Sequence, residues 1–194
     1  MTCPVPELFR PWRHSHAFAQ WLAAVLCLCA GLALALPARA QEAQTDERSQ
    51  AVAHTVFGIL GYTRWPTELQ TVRLCVVGPT EYADELLKGA LLQGARQTAV
   101  RRMRLDDSHL NTECDSVYAG SLSDDEWRQL VARIGNRPLL SISERQDLCR
   151  IGGMFCLDVR PSGVSFEINL DSVARSGVRV NPRVLQLAKR KSGP

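Results

Sequence analysis

VRLCVVGPTEYADELLKGALLQG, residues 72–94, is the stretch that decides how this chain folds. Val72, Leu74, Val76 and Val77 form a near-continuous apolar run, the mark of a strand covered on both faces. Gly78-Pro79-Thr80 follows as a turn, and Tyr82, Leu86, Leu87 and Leu91 then recur at the spacing of a helix face. Strand, short turn and helix predict the opening of a parallel crossover unit. The turn holds one glycine and a proline. It matches neither the phosphate-binding loop nor the three-glycine dinucleotide pattern, which excludes nucleotide binding there.

Upstream, Val52, Val56 and Ile59 or Leu60, with Ala51, Thr55 and Phe57 widening the stripe, predict an amphipathic helix from Arg48 that stops near Gly58 to Gly61. Trp65 precedes Pro66 and is therefore extended; its bulk reads as a plug between helix and sheet. Downstream, a strand over Ala99–Leu105 is interrupted by Arg101, Arg102 and Arg104, the pattern of an edge that resists pairing. Such a charged edge is compatible with a homodimer. Asp106, Asp107 and His109 follow without metal-ligand spacing and read as a solvated turn. A strand over Asp115–Gly120 comes next. Ser123 and Glu126 then form a capping box opening a helix through Trp127, Leu130, Val131 and Ile134, ahead of a buried strand from Pro138 to Ser143.

The closing third begins with a hairpin. Phe155, Leu157 and Val159 share one parity with Val164, Phe166 and Ile168 across Pro161-Ser162-Gly163, so these six face the core and Glu167 and Asn169 face outward. A helical turn over Asp171–Gly177 and a last helix opened by Asn181-Pro182 complete the chain. The whole predicts an α/β three-layer sandwich: a mixed, mostly parallel sheet of about six strands flanked by helices, with a C-terminal hairpin plus helix.

The start of the sequence places the domain. Arg10, Arg13, His14 and His16 precede the apolar run Trp21–Leu36, which closes at Pro37 and Ala38-Arg39-Ala40. This describes a secretory signal peptide over residues 1–40, cut after Ala40, rather than a membrane anchor, which needs roughly 20 apolar residues. Residues 41–47 then form a flexible, polar mature terminus, and 48–194 a single exported domain. Three of the 23 basic and one of the 20 acidic residues leave with the leader, so the mature charge falls from +3 to +1. Such a balance carries no electrostatic footprint for nucleic acid. Of seven cysteines, Cys75, Cys114, Cys149 and Cys156 remain, and four in an exported chain read as two disulfides with three connectivities open.

Two chemistries compete for the remaining polar residues. Arg175, Arg179 and Arg183 bracket the last junction and Arg64 stands between two aromatics. These arginines either balance local carboxylates such as Glu167 or, with Arg64, Arg175 and Arg179 as the ligand-binding set, take an amino acid or another small anion. His54 and His109 lie in no nucleophile or metal motif, and no nucleophile-elbow pattern is present, so no enzyme, metal or cofactor is expected.

The Tyr62-Thr63-Arg64-Trp65-Pro66 block, the LCVVG strand, the CRIGGMFCL arrangement around Cys149 and Cys156, and the run Asn169–Pro182 together resemble the YfiR family. That resemblance covers essentially the whole mature chain. It implies a periplasmic repressor that binds the sensor region of an inner-membrane diguanylate cyclase, YfiN-like, and suppresses cyclic di-GMP synthesis and biofilm formation. Sequestration by a YfiB-like, OmpA-like outer-membrane lipoprotein would lift the repression. It further implies the pairs Cys75–Cys114 and Cys149–Cys156, structural first and redox-sensitive second, and partner contacts at Phe155, Glu167 and Val173.

Overall fold

The computed structural model describes residues 44–92, 96–135 and 137–189. The expected leader and residues 41–43 lie outside them. Helix α1 spans 44–62, followed by β1 (Thr63–Arg64), β2 (Thr71–Val77), β3 (Gln97–Met103), α2 (Leu110–Glu113) and β4 (Ser116–Ala119). The second half contains α3 (Asp124–Ile134), β5 (Leu140–Ser143), β6 (Phe155–Arg160), β7 (Gly163–Ile168), α4 (Leu170–Arg175), β8 (Arg179–Val180) and α5 (Leu185–Lys189).

Six strands form one mixed sheet in the order β3-β2-β4-β5-β6-β7, parallel throughout except for the antiparallel β6–β7 hairpin. Alternation along β2 assigns its two faces. Val72, Leu74 and Val76 join Val52, Val56, Ile59 and Leu60 of α1, whereas Cys75 and Val77 join Trp127, Leu130 and Ile134 of α3. Tyr118, Leu140, Ile142, Phe155 and Leu157 continue the first layer and Val117, Ala119 and Cys156 the second. With helices on both faces, the three-layer α/β sandwich expected from the element order is the fold.

The α3 capping box is present, with the Glu126 N–H donating to Ser123 Oγ and the Ser123 N–H donating to Glu126 Oε2 at 2.8 Å. The hairpin register is also as expected: Phe155↔Ile168, Leu157↔Phe166 and Val159↔Val164 share the α1 face. Cys156, on the other parity, is buried in the α3 layer and not solvent-facing.

Two expectations are corrected and one element is added. Helix α1 begins at 44, four residues ahead of the start at Arg48 that periodicity suggested. Asp46 and Glu47 fall in its first turn, where negative charge is favoured by the helix dipole. Between β2 and β3 the crossover has no α-helix, only a 3-10 turn over Leu86–Lys88. Gly89 ends that turn at φ 69°, a left-handed position that glycine takes readily, and Leu91 beyond it stands 69% exposed. Finally, a short antiparallel ribbon pairs β1 with β8 through Thr63↔Val180 and Arg64↔Arg179. Two-residue strands carry no periodicity that a sequence could display.

Candidate functional site

The β1–β8 ribbon builds one side of a concave surface. Helix α1 ends where four carbonyls need partners. Thr63 Oγ1 donates to Ile59 O at 2.8 Å, the Asn181 N–H to Tyr62 O at 2.9 Å, and Arg96 to Leu60 O and Gly61 O at 3.3 and 3.2 Å. Arg64 adds bonds to Gly61 O and Thr63 O at 2.8 and 2.9 Å. Two guanidiniums thus sit on the negative end of one helix dipole. Burial, and after it the Arg64 charge, pulls the Arg96 pKa below its ordinary value.

Beyond this cap lies an open cleft of about 760 Å³, lined among others by Tyr62, Arg64, Trp65, Arg179, Asn181 and Arg183. Trp65 forms a fixed wall, because its indole N–H donates to Asp115 O at 2.9 Å. Asp115 is itself clamped: Arg73 Nε and Nη2 donate to its two carboxylate oxygens at 3.0 and 2.7 Å, and the Arg73 N–H adds a third bond at 2.9 Å. That bidentate pair stands beside the Cys75–Cys114 disulfide, so the wall rests on a cross-linked support. Among the described residues, no carboxylate pairs with Arg64, Arg179 or Arg183.

A second surface runs from β7 into α4. Asn169 Oδ1 accepts from the Ser172 N–H at 2.9 Å and so caps α4, while Asn169 Nδ2 donates to Cys149 O at 2.8 Å. Cys149 is bonded to Cys156, which ties the start of α4 to β6. On this clamped segment Glu167 is exposed, Leu170 is 73% exposed, and Val173 is half-buried against the core.

The sequence profile of the YfiR/HmsC-like family matches residues 49–189, the span that holds both surfaces and both disulfides. The chain belongs to the YfiR/HmsC-like family. At family level these are periplasmic, non-catalytic regulators of diguanylate cyclases of the YfiN type. Among the described residues of this YfiR/HmsC-like chain, no helix is long and apolar enough to cross a membrane.

The expected site residues separate on this frame. Arg64 and Arg179 are ladder partners and share the cleft. Arg175 lies in the last turn of α4, outside the lining, and Arg183 takes its place. Glu167 and Val173 remain on the second surface, but Phe155 leaves it. Its side chain is 0% exposed and packs against Phe166 at a centroid distance of 5.7 Å. Its parity in the hairpin already pointed inward.

Asn169, Asp115 and Leu170 were missed as site residues. The spacing of Leu170 and Val173, three apart on one helical turn, was the available signal for Leu170; Asp115 gives none, since its role depends on Arg73 and Trp65, both distant in sequence. The acids near His109 act locally: Asp106 pairs with Arg104, and Asp107 accepts the His109 N–H at 2.8 Å.

Proposed function

We propose that this chain is a periplasmic repressor that binds the sensor region of a YfiN-like inner-membrane diguanylate cyclase through the β7–α4 surface. A YfiB-like outer-membrane lipoprotein relieves repression by covering the same surface. The observation that carries this reading, within the family match, is the clamped surface itself. Glu167, Leu170 and Val173 stand on a segment fixed by Asn169 and the Cys149–Cys156 bond, which lowers the ordering cost of binding. A soluble protein holds an enzyme off by binding its inactive state more tightly than its active one, and a competitor for that surface reverses this by mass action.

Export of residues 41–194 after loss of a leader and action as a homodimer belong to the same proposal; mass spectrometry of the periplasmic protein and analytical ultracentrifugation read them out. The central test is Glu167→Arg with Leu170→Asp, scored by a cyclic di-GMP reporter and by pull-down of the cyclase. Normal repression by the folded, exported double variant would overturn the placement.

The cleft supports a second reading, a sensor of an amino acid or another small anion. Three arginines with no carboxylate partner among the described residues line it, and bidentate forks of this kind suit carboxylates. Calorimetry with small carboxylates should give saturable heat that is lost in Arg179→Ala and kept in Arg175→Ala. Equal heats in both variants would remove the cleft as the site.

A further inference from the structure

A third polar cluster lies at the carboxyl ends of β2, β4 and β5. Because β2 has β3 on one side and β4 on the other, the connections diverge at this point, where open parallel sheets place ligands. Backbone closes the gap between the β2 and β4 loops here. The Gly120 N–H donates to Val77 O at 3.0 Å and the Ser121 N–H to Pro79 O at 2.7 Å.

The loop after β2 aims two consecutive backbone N–H groups across the sheet end at a single side chain, Glu144, which follows β5. Glu81 N–H donates to Glu144 Oε2 at 3.0 Å and Tyr82 N–H to Oε1 at 3.0 Å, and the Tyr118 hydroxyl donates to Oε1 at 2.8 Å. The Tyr118 side chain is fully buried, and burial, followed by the Glu144 charge, raises its pKa far above the ordinary value, so it stays a donor. Among the described residues, no cation pairs with Glu144. A carboxylate is therefore held by three converging dipoles alone. Adjacent backbone N–H groups and a hydroxyl pointing at one oxyanion form a concave anion nest.

We propose that this nest is an oxyanion site which the chain fills with its own Glu144, and that with this side chain removed it takes a free small carboxylate. The tethered carboxylate locks the 78–82 loop onto β4 and β5, so the sheet end is in its occupied form without any external ligand. Half-burial of Glu144 and exposure of Glu81 leave the nest open to solution once the tether is gone.

The test uses purified protein and thermal melting in sodium acetate, sodium phosphate and sodium chloride at matched ionic strength. Glu144→Ala is expected to melt about 5 °C or more below the wild type and to regain part of that loss, saturably, in acetate. The wild type should show no acetate-specific shift, and adding Tyr118→Phe to Glu144→Ala should weaken the acetate rescue. Rescue by phosphate as strong as by acetate would mark the nest as selecting charge and not carboxylate shape, against the proposal. An unchanged melting temperature for Glu144→Ala, or equal shifts in acetate and chloride, would overturn it as well. Should Glu144→Ala fail to fold, Glu144→Gln decides. Its amide brings an N–H₂ against one of the donors, so it should melt below the wild type and ignore acetate; wild-type melting of Glu144→Gln would refute a nest built for a carboxylate.

Discussion

Replacing Phe155 by alanine separates folding from docking. The ring is 0% exposed in the layer between the sheet and α1, and it packs on Phe166 at 5.7 Å with an interplanar angle of 57°. Emptying such a site removes the transfer free energy of the ring and leaves a cavity, together about 3–5 kcal/mol. Roughly 0.5–1.5 kcal/mol of that belongs to the aromatic pair. For a domain of this size each kcal/mol lowers Tm by about 2–4 °C, so Phe155→Ala should melt about 10 °C below the wild type. Glu167→Arg, on an exposed position of the other parity, should melt within about 2 °C of it. Calorimetric melts and a cyclase pull-down at a temperature where both variants are folded form the assay. Phe155→Ala should keep binding per folded molecule, and Glu167→Arg should lose it. If Phe155→Ala melted with the wild type yet failed to bind, the ring would be a contact residue and the inward placement would be wrong.

Other perturbations test the frame. Cys75–Cys114 and Cys149–Cys156 span 39 and 7 residues, so in the chain-entropy model they contribute about 4 and 2.5 kcal/mol; double Cys→Ala variants should show that ordering in urea midpoints, and the reverse order would refute it. Backbone and hydroxyl bonds from Ser123 hold the Glu126 carboxyl below its ordinary range. Its stabilisation is therefore present above about pH 4.3 and is lost as pH falls through the depressed folded pKa. The gap in Tm between wild type and Glu126→Gln should accordingly close on acidification, and a gap independent of pH would contradict the capping role. A Cβ at Gly120 would lie 1.8 Å from Pro79 O, so Gly120→Ala should force the β2 and β4 loops apart and sharply reduce soluble yield; a normal melt would show that the contact yields easily.

Much of the sheet is visible in one dimension because its signals are local. The apolar run Val72–Val77, the alternation of the hairpin and the Ser123–Glu126 box each act within a few residues, and each leads to the observed element. The crossover after β2 misleads for a related reason. Tyr82, Leu86 and Leu91 have helical spacing, but Gly89 turns the chain between the second and the third, and only Tyr82 and Leu86 of the three reach the core. Phe155 follows its own parity into the core.

What the amino-acid sequence determined by itself is the class of fold, the family resemblance and the side of the hairpin each residue takes, since periodicity and capping are properties of neighbours along the chain. Tertiary structure decided the sites. Arg64 meets Arg179 only because a two-residue ribbon closes across the end of α1, and Asn169 reaches Cys149, in the 3-10 turn over Gln146–Ile151, across the segment that the Cys149–Cys156 bond ties to β6. Glu144 finds Glu81, Tyr82 and Tyr118 only because the parallel sheet gathers the carboxyl ends of three strands in one place. Convergence of groups 20 to 115 positions apart is set by packing, which no local pattern encodes.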